Sequence, residues 1–214
     1  MHRFEFHVHS NHSRDGLDSV EKILKQAIVL GLDGIAITDH DTLNGAIEAM
    51  EIVKKQNLSI LIIPGIEVST RDGHLIVLGI KEIIPPMLPV RETIRMAREM
   101  NGFIIAPHPR ALFRNSLWDL QNLDIDAIEV FNPKPFTNAK FAEEIARKHS
   151  LPTIAGGDAH SAALIGYAVM EIDCELTERS VLQAIKAGRI KINGKKIPLS
   201  LLLKQWSRRF NPKI

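Results

Sequence analysis

Cysteine is almost absent from this 214-residue chain, where Cys174 stands alone. One thiol excludes an intramolecular disulfide and every Cys-rich zinc motif, so a metal site here has to be built from His and carboxylates. Long apolar runs are missing as well, and none approaches the roughly 20 residues that cross a bilayer. The first strand starts within a few residues of Met1 and leaves no room for a signal peptide, so the expected compartment is the cytoplasm, with no membrane partner. Acidic residues are missing from one region. From Arg189 onward there are eight Lys or Arg and no Asp or Glu, so the formal charge of +2 conceals a body with 19 basic and 25 acidic residues, a net of −6. Such a tail attracts nucleic acid or another polyanion; a solvated helix face has the same composition.

What is present is enough apolar material, 45% of residues, for one sizeable core. We read residues 1–188 as one domain and 189–214 as a basic C-terminal extension packed on it. Apolar strand-like runs begin at Phe4, Gly34, Ile60, His74, Phe103, Ala127, Thr153 and Tyr167. Between them lie stretches of helical period. One starts at Asp18, read as an N-cap with Glu21 three residues on, and another buries Leu43, Ala46, Ile47, Met50 and Val53. Thr137 and Thr177 are read as caps of two later helices, and Leu199, Leu202, Leu203, Trp206 and Phe210 give helical spacing in the tail. Strands that are apolar throughout belong to a parallel sheet covered by helices.

The polar residues choose between an open sheet and a closed barrel. His7 and His9 are two apart on the first strand, so both side chains point the same way from its C-terminal end. The pattern of strand followed by His, Asp or Glu then recurs, with Asp39-His40-Asp41, Glu67 between Ile66 and Val68, His74, His108, and Asp158-Ala-His160. A barrel gathers such groups at one mouth, whereas an open sheet spreads them along an edge. His7, His9, Asp15, His40, Glu67, His74, His108, Asp158 and His160 are too many donors for one ion; they suit two or three divalent metals, with Zn, Mn or Fe all compatible.

These stretches resemble the polymerase and histidinol phosphatase (PHP) family of metal-dependent phosphoesterases. The matching runs are His7-x-His9 with Ser13 to Gly16, Thr38-Asp-His-Asp41, Gly65-Ile-Glu67-Val-Ser, His74, Pro107-His108-Pro109 and Gly157-Asp158-Ala-His160, in the family's order. The resemblance implies an α/β fold, a distorted seven-stranded (β/α) barrel of the PHP type, with a trinuclear site. It places His7, His9, Glu67 and Asp158 on one metal, Asp15, His40 and His160 on a second, and His74, His108 and a bridging Glu67 on a third. The Asp39-His-Asp-Thr-Leu-Asn-Gly run is most similar to the branch of nucleotide phosphatases and 5′-3′ exonucleases. That branch usually carries an inserted helical subdomain, and only 33 residues separate His74 from His108 here.

The expected function is hydrolysis of a phosphomonoester, of a nucleotide or another small phosphate, through metal-bound hydroxide. Glu67, Asp158 and His160 are assigned the catalytic role. Arg110, directly after the His108 strand end, is read as a bidentate phosphate clamp. Asn132, Lys134 and His12 lie on loops at the same end and are read as substrate contacts. Asp39 is read as a partner that orients a neighbouring imidazole. Two other functions fit parts of the pattern: a 5′-3′ exonuclease on short oligonucleotides whose tail holds the strand, and a non-catalytic RNA-binding barrel.

Overall fold

The structure is a computed structural model that describes residues 1–112 and 115–210, with the side chains of 209 and 210 outside the description; Phe210 as part of the tail's apolar stripe therefore lies outside the described residues. Among the described residues, nine strands and six α-helices follow in the order β1 (His2–Val8), α1 (Val20–Val29), β2 (Gly34–Ile37), α2 (Asn44–Gln56), β3 (Leu61–Ser69), β4 (His74–Leu78), α3 (Val90–Glu99), β5 (Phe103–Ala106), β6 (Ala127–Phe131), α4 (Ala139–His149), β7 (Thr153–Ala155), β8 (Ala168–Ile172), α5 (Glu178–Lys186), β9 (Ile190–Gly194) and α6 (Leu199–Phe210).

The strands form one sheet in the order β7-β6-β5-β4-β3-β2-β1-β8-β9. The expectation of a seven-stranded barrel is thereby corrected to an α/β fold with a nearly closed nine-stranded barrel. The sheet is also mixed. β1, β2 and β3 run parallel, as do β5, β6 and β7, but β4 is antiparallel to both of its neighbours, and β8 and β9 extend the sheet as an antiparallel pair beside β1. Closure comes from the chain just after β7. Ala159 bridges Val8, its N–H donating to His7 O and its carbonyl accepting from His9 N. That segment lays Asp158 and His160 beside His7 and His9.

One apolar cluster draws on every strand from β1 to β8. Phe4, Phe6, Ile63, Ile76, Ile105, Ile154 and Met170 meet in it, with Val181 and Ile185 of α5 packed among them. A sheet whose strands all feed one cluster is curled on itself, and each large side chain fully buried this way contributes about 1.5–3 kcal/mol. A second cluster joins α1 and α2 to the outside of the sheet, and a third joins α3 and α4.

Several local expectations shift. The N-cap of α1 is Ser19, which accepts from Lys22 N, and that of α4 is Asn138 rather than Thr137. Asp18 accepts instead from Ala162 N, Lys22 Nζ and Arg208. Ile47 and Met50 of α2 are largely exposed, and Ala49 takes their place in the core.

Candidate metal centre

The strand ends turn a dense set of donors into one cavity of about 640 Å³. Glu67 lies at its centre, 1% exposed, in the long strand β3. Its two oxygens divide five imidazoles between them. Oε1 faces His74 Nδ1 at 3.0 Å and His108 Nε2 at 3.2 Å, whereas Oε2 faces His9 Nε2 at 3.1 Å, His7 Nε2 at 3.2 Å and His40 Nδ1 at 3.4 Å. Burial alone would raise the Glu67 carboxyl, but His74, His7 and His40 outweigh it and hold it well below the usual carboxylate range. A fully ionised carboxylate with two occupied sides is the form a bridging ligand takes.

Among the described residues, four groups bring one donor atom from each member within 4.8 Å of the others: His9, Asp15, His40 and His160; His7, His9 and Asp158; His7, Glu67 and His108; and His40, Glu67 and His74. All nine donors named from the sequence are in these groups. The groups overlap, with His7, His9, His40 and Glu67 each in two of them, and His74 and His108 fall in separate groups that share Glu67. His9 Nε2 and His40 Nδ1 are buried and make no hydrogen bond. Orphaned nitrogens facing carboxylate oxygens are what a cation between them would satisfy, so the donor set fits divalent metal.

The imidazoles are oriented from behind. His7 Nδ1–H donates to Glu129 Oε2 at 3.0 Å, His9 Nδ1 pairs with Ser13 Oγ at 3.2 Å, and His108 Nδ1 pairs with Ser116 Oγ at 3.1 Å. In each case the second nitrogen, Nε2, faces Glu67. His9 is pulled down to about 3 by burial, with the charge of His160 adding to the effect, so it presents a lone pair. Burial pulls His7 down too, but Glu67 and Asp158 overcome it and raise the ring to about 10, and His40 rises to about 9 for similar reasons.

Backbone geometry contributes at two of the clustered donors. His108 and Asp158 adopt φ of 28° and 49°, values that cost energy in ordinary loops and recur where structure over-determines a side chain. Ahead of Asp158, a side chain at Gly156 would overlap the Glu129 carboxylate and one at Gly157 would overlap Glu5. The two glycines thus make room for buried carboxylates.

The expected substrate contacts separate. Lys134 lines the cavity, its Nζ 2.9 Å from Asp158 Oδ1 and 3.1 Å from His160 Nδ1. Asn132 is buried behind it, donating to Glu129 Oε1 at 2.7 Å and accepting from Lys134 N. Arg110 is not among the residues lining the cavity; its Nε donates to Trp118 O at 2.8 Å and its guanidinium lies 3.9 Å over the Phe141 ring. His12 pairs with Glu48 on the surface. Among the described residues, Asp39 is hydrogen-bonded to Ser10 and not to an imidazole. It accepts from Ser10 N and Ser10 Oγ, at 2.6 and 2.7 Å, and so fixes the first loop.

Three residues were not singled out from the sequence. Glu129 orients His7, and Arg14 lines the cavity. Glu5, buried and raised to about 8 by burial, accepts from Gly166 N at 2.7 Å. Glu5 and Glu129 are, like Glu67, carboxylates between apolar neighbours in a strand, and that pattern is the signal that would have found them.

Clustered His, Asp and Glu at the mouth of an α/β barrel, around a shared carboxylate, define a metal-dependent phosphoesterase. The chain belongs to the PHP domain family, whose model matches residues 5–170. It is 37% identical over 139 residues to the uncharacterized protein MJ1587 of Methanocaldococcus jannaschii, covering 60% of this chain and 80% of that one. It is 28% identical over 165 residues to the phosphoribosyl 1,2-cyclic phosphate 1,2-diphosphodiesterase of Eggerthella lenta, covering 74% of this chain. The 5′-3′ exoribonuclease Rnm of Salmonella typhimurium is 26% identical over 156 residues, covering 71% of this chain. The chain spans about half the length of these two enzymes, 56% and 51%. A two-domain Bacteroides vulgatus protein containing a predicted PHP-like metal-dependent phosphoesterase superposes with a TM-score of 0.74 at 20% identity, over 97% of this chain and 69% of that one, a likeness of fold.

Proposed function

We propose that the protein hydrolyses a phosphomonoester, of a nucleotide or another small phosphate, at a centre of two or three divalent ions. The observation that carries this reading is the division of five imidazoles between the two oxygens of Glu67. Bound divalent ions supply a water of lowered pKa and neutralise charge on phosphoryl oxygens. Glu67, with His7, His9, His40, His74, His108, Asp15, Asp158 and His160, would hold them. His160 and Asp158 close the site on the side of Lys134, and Lys134 and Arg14 are the cations placed to take phosphoryl charge. Arg110, turned to Trp118 and Phe141, leaves that task to them.

A cavity of about 640 Å³ is of the size that takes one small ligand. That favours a small ester over a long strand. Similarity to an exoribonuclease supports the second reading, a 5′-3′ exonuclease on short oligonucleotides. In either case the described part of the 189–214 extension adds β9 to the sheet and, through α6, a wall to the mouth.

The test is metal content by elemental analysis, paired with hydrolysis of an aryl phosphate with and without chelator and added Mn²⁺. Two or three ions per chain with chelator-sensitive turnover are expected. A chain that takes up no metal, or stays inert once loaded, overturns the reading.

A further inference from the structure

The hydroxyl of Ser13 stands where three of the clustered donors meet. Its Oγ accepts from the backbone N–H of His40 at 2.7 Å and lies 3.2 Å from His9 Nδ1. The Ser13 carbonyl accepts from Gly16 N at 3.2 Å and so closes the turn that carries Asp15. His9, Asp15 and His40 are three of the four members of one donor group, and Ser13 ties them together without belonging to it.

The bond between Ser13 and His9 has a direction, set by the protons present. A hydroxyl has one proton and two lone pairs, and the His40 N–H occupies one lone pair. His9 Nδ1 then either donates to the other lone pair or takes the hydroxyl proton. The two arrangements have opposite consequences at the far side of the ring. The first leaves a lone pair on His9 Nε2, 3.1 Å from Glu67 Oε2, and the second puts a proton there. The first also needs another acceptor for the hydroxyl proton, and Ser13 is only 4% exposed, so water is not a ready one.

Asp39 is placed to be that acceptor. Burial pushes its carboxyl up, and hydrogen bonds from Ser10 and Ser13 act against burial. Its two oxygens hold Ser10 N and Ser10 Oγ, and the Ser10 carbonyl in turn accepts from Ser13 N at 3.0 Å. Gly45, in the first turn of α2, packs so closely that a Cβ there would lie 1.9 Å from Asp39 Oδ2. A helix N-terminus favours the ionised form of a carboxyl beside it, and α2 has no acidic residue of its own in that turn. An ionised carboxylate accepts and does not donate.

We infer that Asp39 and Ser13 are positioning residues for His9: Asp39 takes the Ser13 hydroxyl proton, so that His9 donates through Nδ1 and presents the Nε2 lone pair to a divalent ion. The inference rests on the donor cluster binding metal, as the phosphoesterase reading requires. The orienting role read for Asp39 from the sequence is then exercised through a hydroxyl.

Long-range proton–nitrogen NMR of the metal-free wild type reads the tautomer of each ring, with His9 assigned by comparison with a His9→Gln variant. The Nδ1–H form is expected at His9, and the Nε2–H form overturns the inference. Asp39→Asn keeps the size of the side chain and an oxygen for Ser10 N but turns the second acceptor into a donor. The Ser13 hydroxyl is thereby driven to donate to His9. This variant should shift His9 to the Nε2–H form and bind Zn²⁺ about 10–100-fold more weakly in competition with a chromophoric chelator, although a purely structural role would be kept by the isostere. Ser13→Ala, which removes the hydroxyl, should weaken Zn²⁺ binding within the same range. If Asp39→Asn does not fold, the wild-type spectrum and Ser13→Ala decide the matter. Wild-type affinity in the folded variants overturns the inference and leaves the metal centre standing. A wild type that takes up no Zn²⁺ overturns the phosphoesterase reading and with it the inference.

Discussion

The Nδ1–H of His7 donates to Glu129 Oε2 at 3.0 Å, with both side chains completely buried. A carboxylate behind a ligating imidazole fixes its tautomer and raises its basicity. Glu129→Gln is expected to weaken metal binding about 10–100-fold, the usual range for such partners. Competition with a chromophoric chelator measures this directly. Unchanged affinity would mean that the packing around His7 is sufficient to orient it.

Gly156 offers a second route to the same effect. An added methyl there would overlap Glu129 Oε2, so Gly156→Ala should displace the carboxylate and with it His7. Loss of affinity within a few-fold of that in Glu129→Gln is expected, although Gly156 ligates nothing. If Gly156→Ala binds metal as tightly as the wild type, the glycine has no part in seating that carboxylate.

The metal-free protein should be most stable in mildly acidic solution. His7 and His40 are raised in the folded state to about 10 and 9, above the usual value near 6.5. The folded state therefore binds more protons than the unfolded one above that value, and stability falls as pH rises through the window. Glu5, raised to about 8, adds to that loss. Glu67 and Asp15 are lowered and His9 is lowered to about 3, so their contribution is lost as pH falls. The Tm of chelated protein is thus expected to peak between about pH 4.5 and 6.5. Ions displace the protons on His7 and His40, so calorimetry at pH 7.5 in buffers of different ionisation enthalpy should show proton release on Zn²⁺ binding. Buffer-independent heats would contradict protonated imidazoles.

Arg208 anchors α6 to Asp18, which Ala162 N and Lys22 also hold. Because Arg208 is partly exposed, Arg208→Ala should cost only about 0.5–1 kcal/mol of stability. Asp18→Ala should cost more, about 1–3 kcal/mol, because a backbone donor loses its partner as well. Limited trypsinolysis should cleave the Arg208→Ala protein sooner at Lys204, while the barrel stays intact. Equal cleavage rates would show the helix to be held by its leucines.

The nine side chains that converge were legible in the sequence because they recur at or beside apolar strands, most after a strand, Glu67 within β3 and His74 at the start of β4. Strand direction was not legible. An apolar run reports burial and not polarity of the chain, so β4 and β8 read like their parallel neighbours. β9 was hidden in the basic stretch, where Ile190 and Ile192 alternate with Lys191 and Asn193 over too few residues to stand out. Glu129 was missed although Ile128 and Val130 flank it just as Ile66 and Val68 flank Glu67. Adjacency misled at Arg110, where φ of 50° accompanies a side chain directed to Trp118 and Phe141.

The base of α6 is bonded to the carbonyls of Asn132 and Pro133, two and one residues before Lys134. The clustered donors and the helical part of the cavity wall therefore lie in separate stretches of chain, joined here and again where Arg208 meets Asp18. Substitution within 199–206 reshapes the cavity wall without touching a donor atom, whereas a cut before Lys196 removes the bonds that hold the loop ahead of Lys134. For anyone designing shortened versions, the last helix is the part to exchange, not the part to delete.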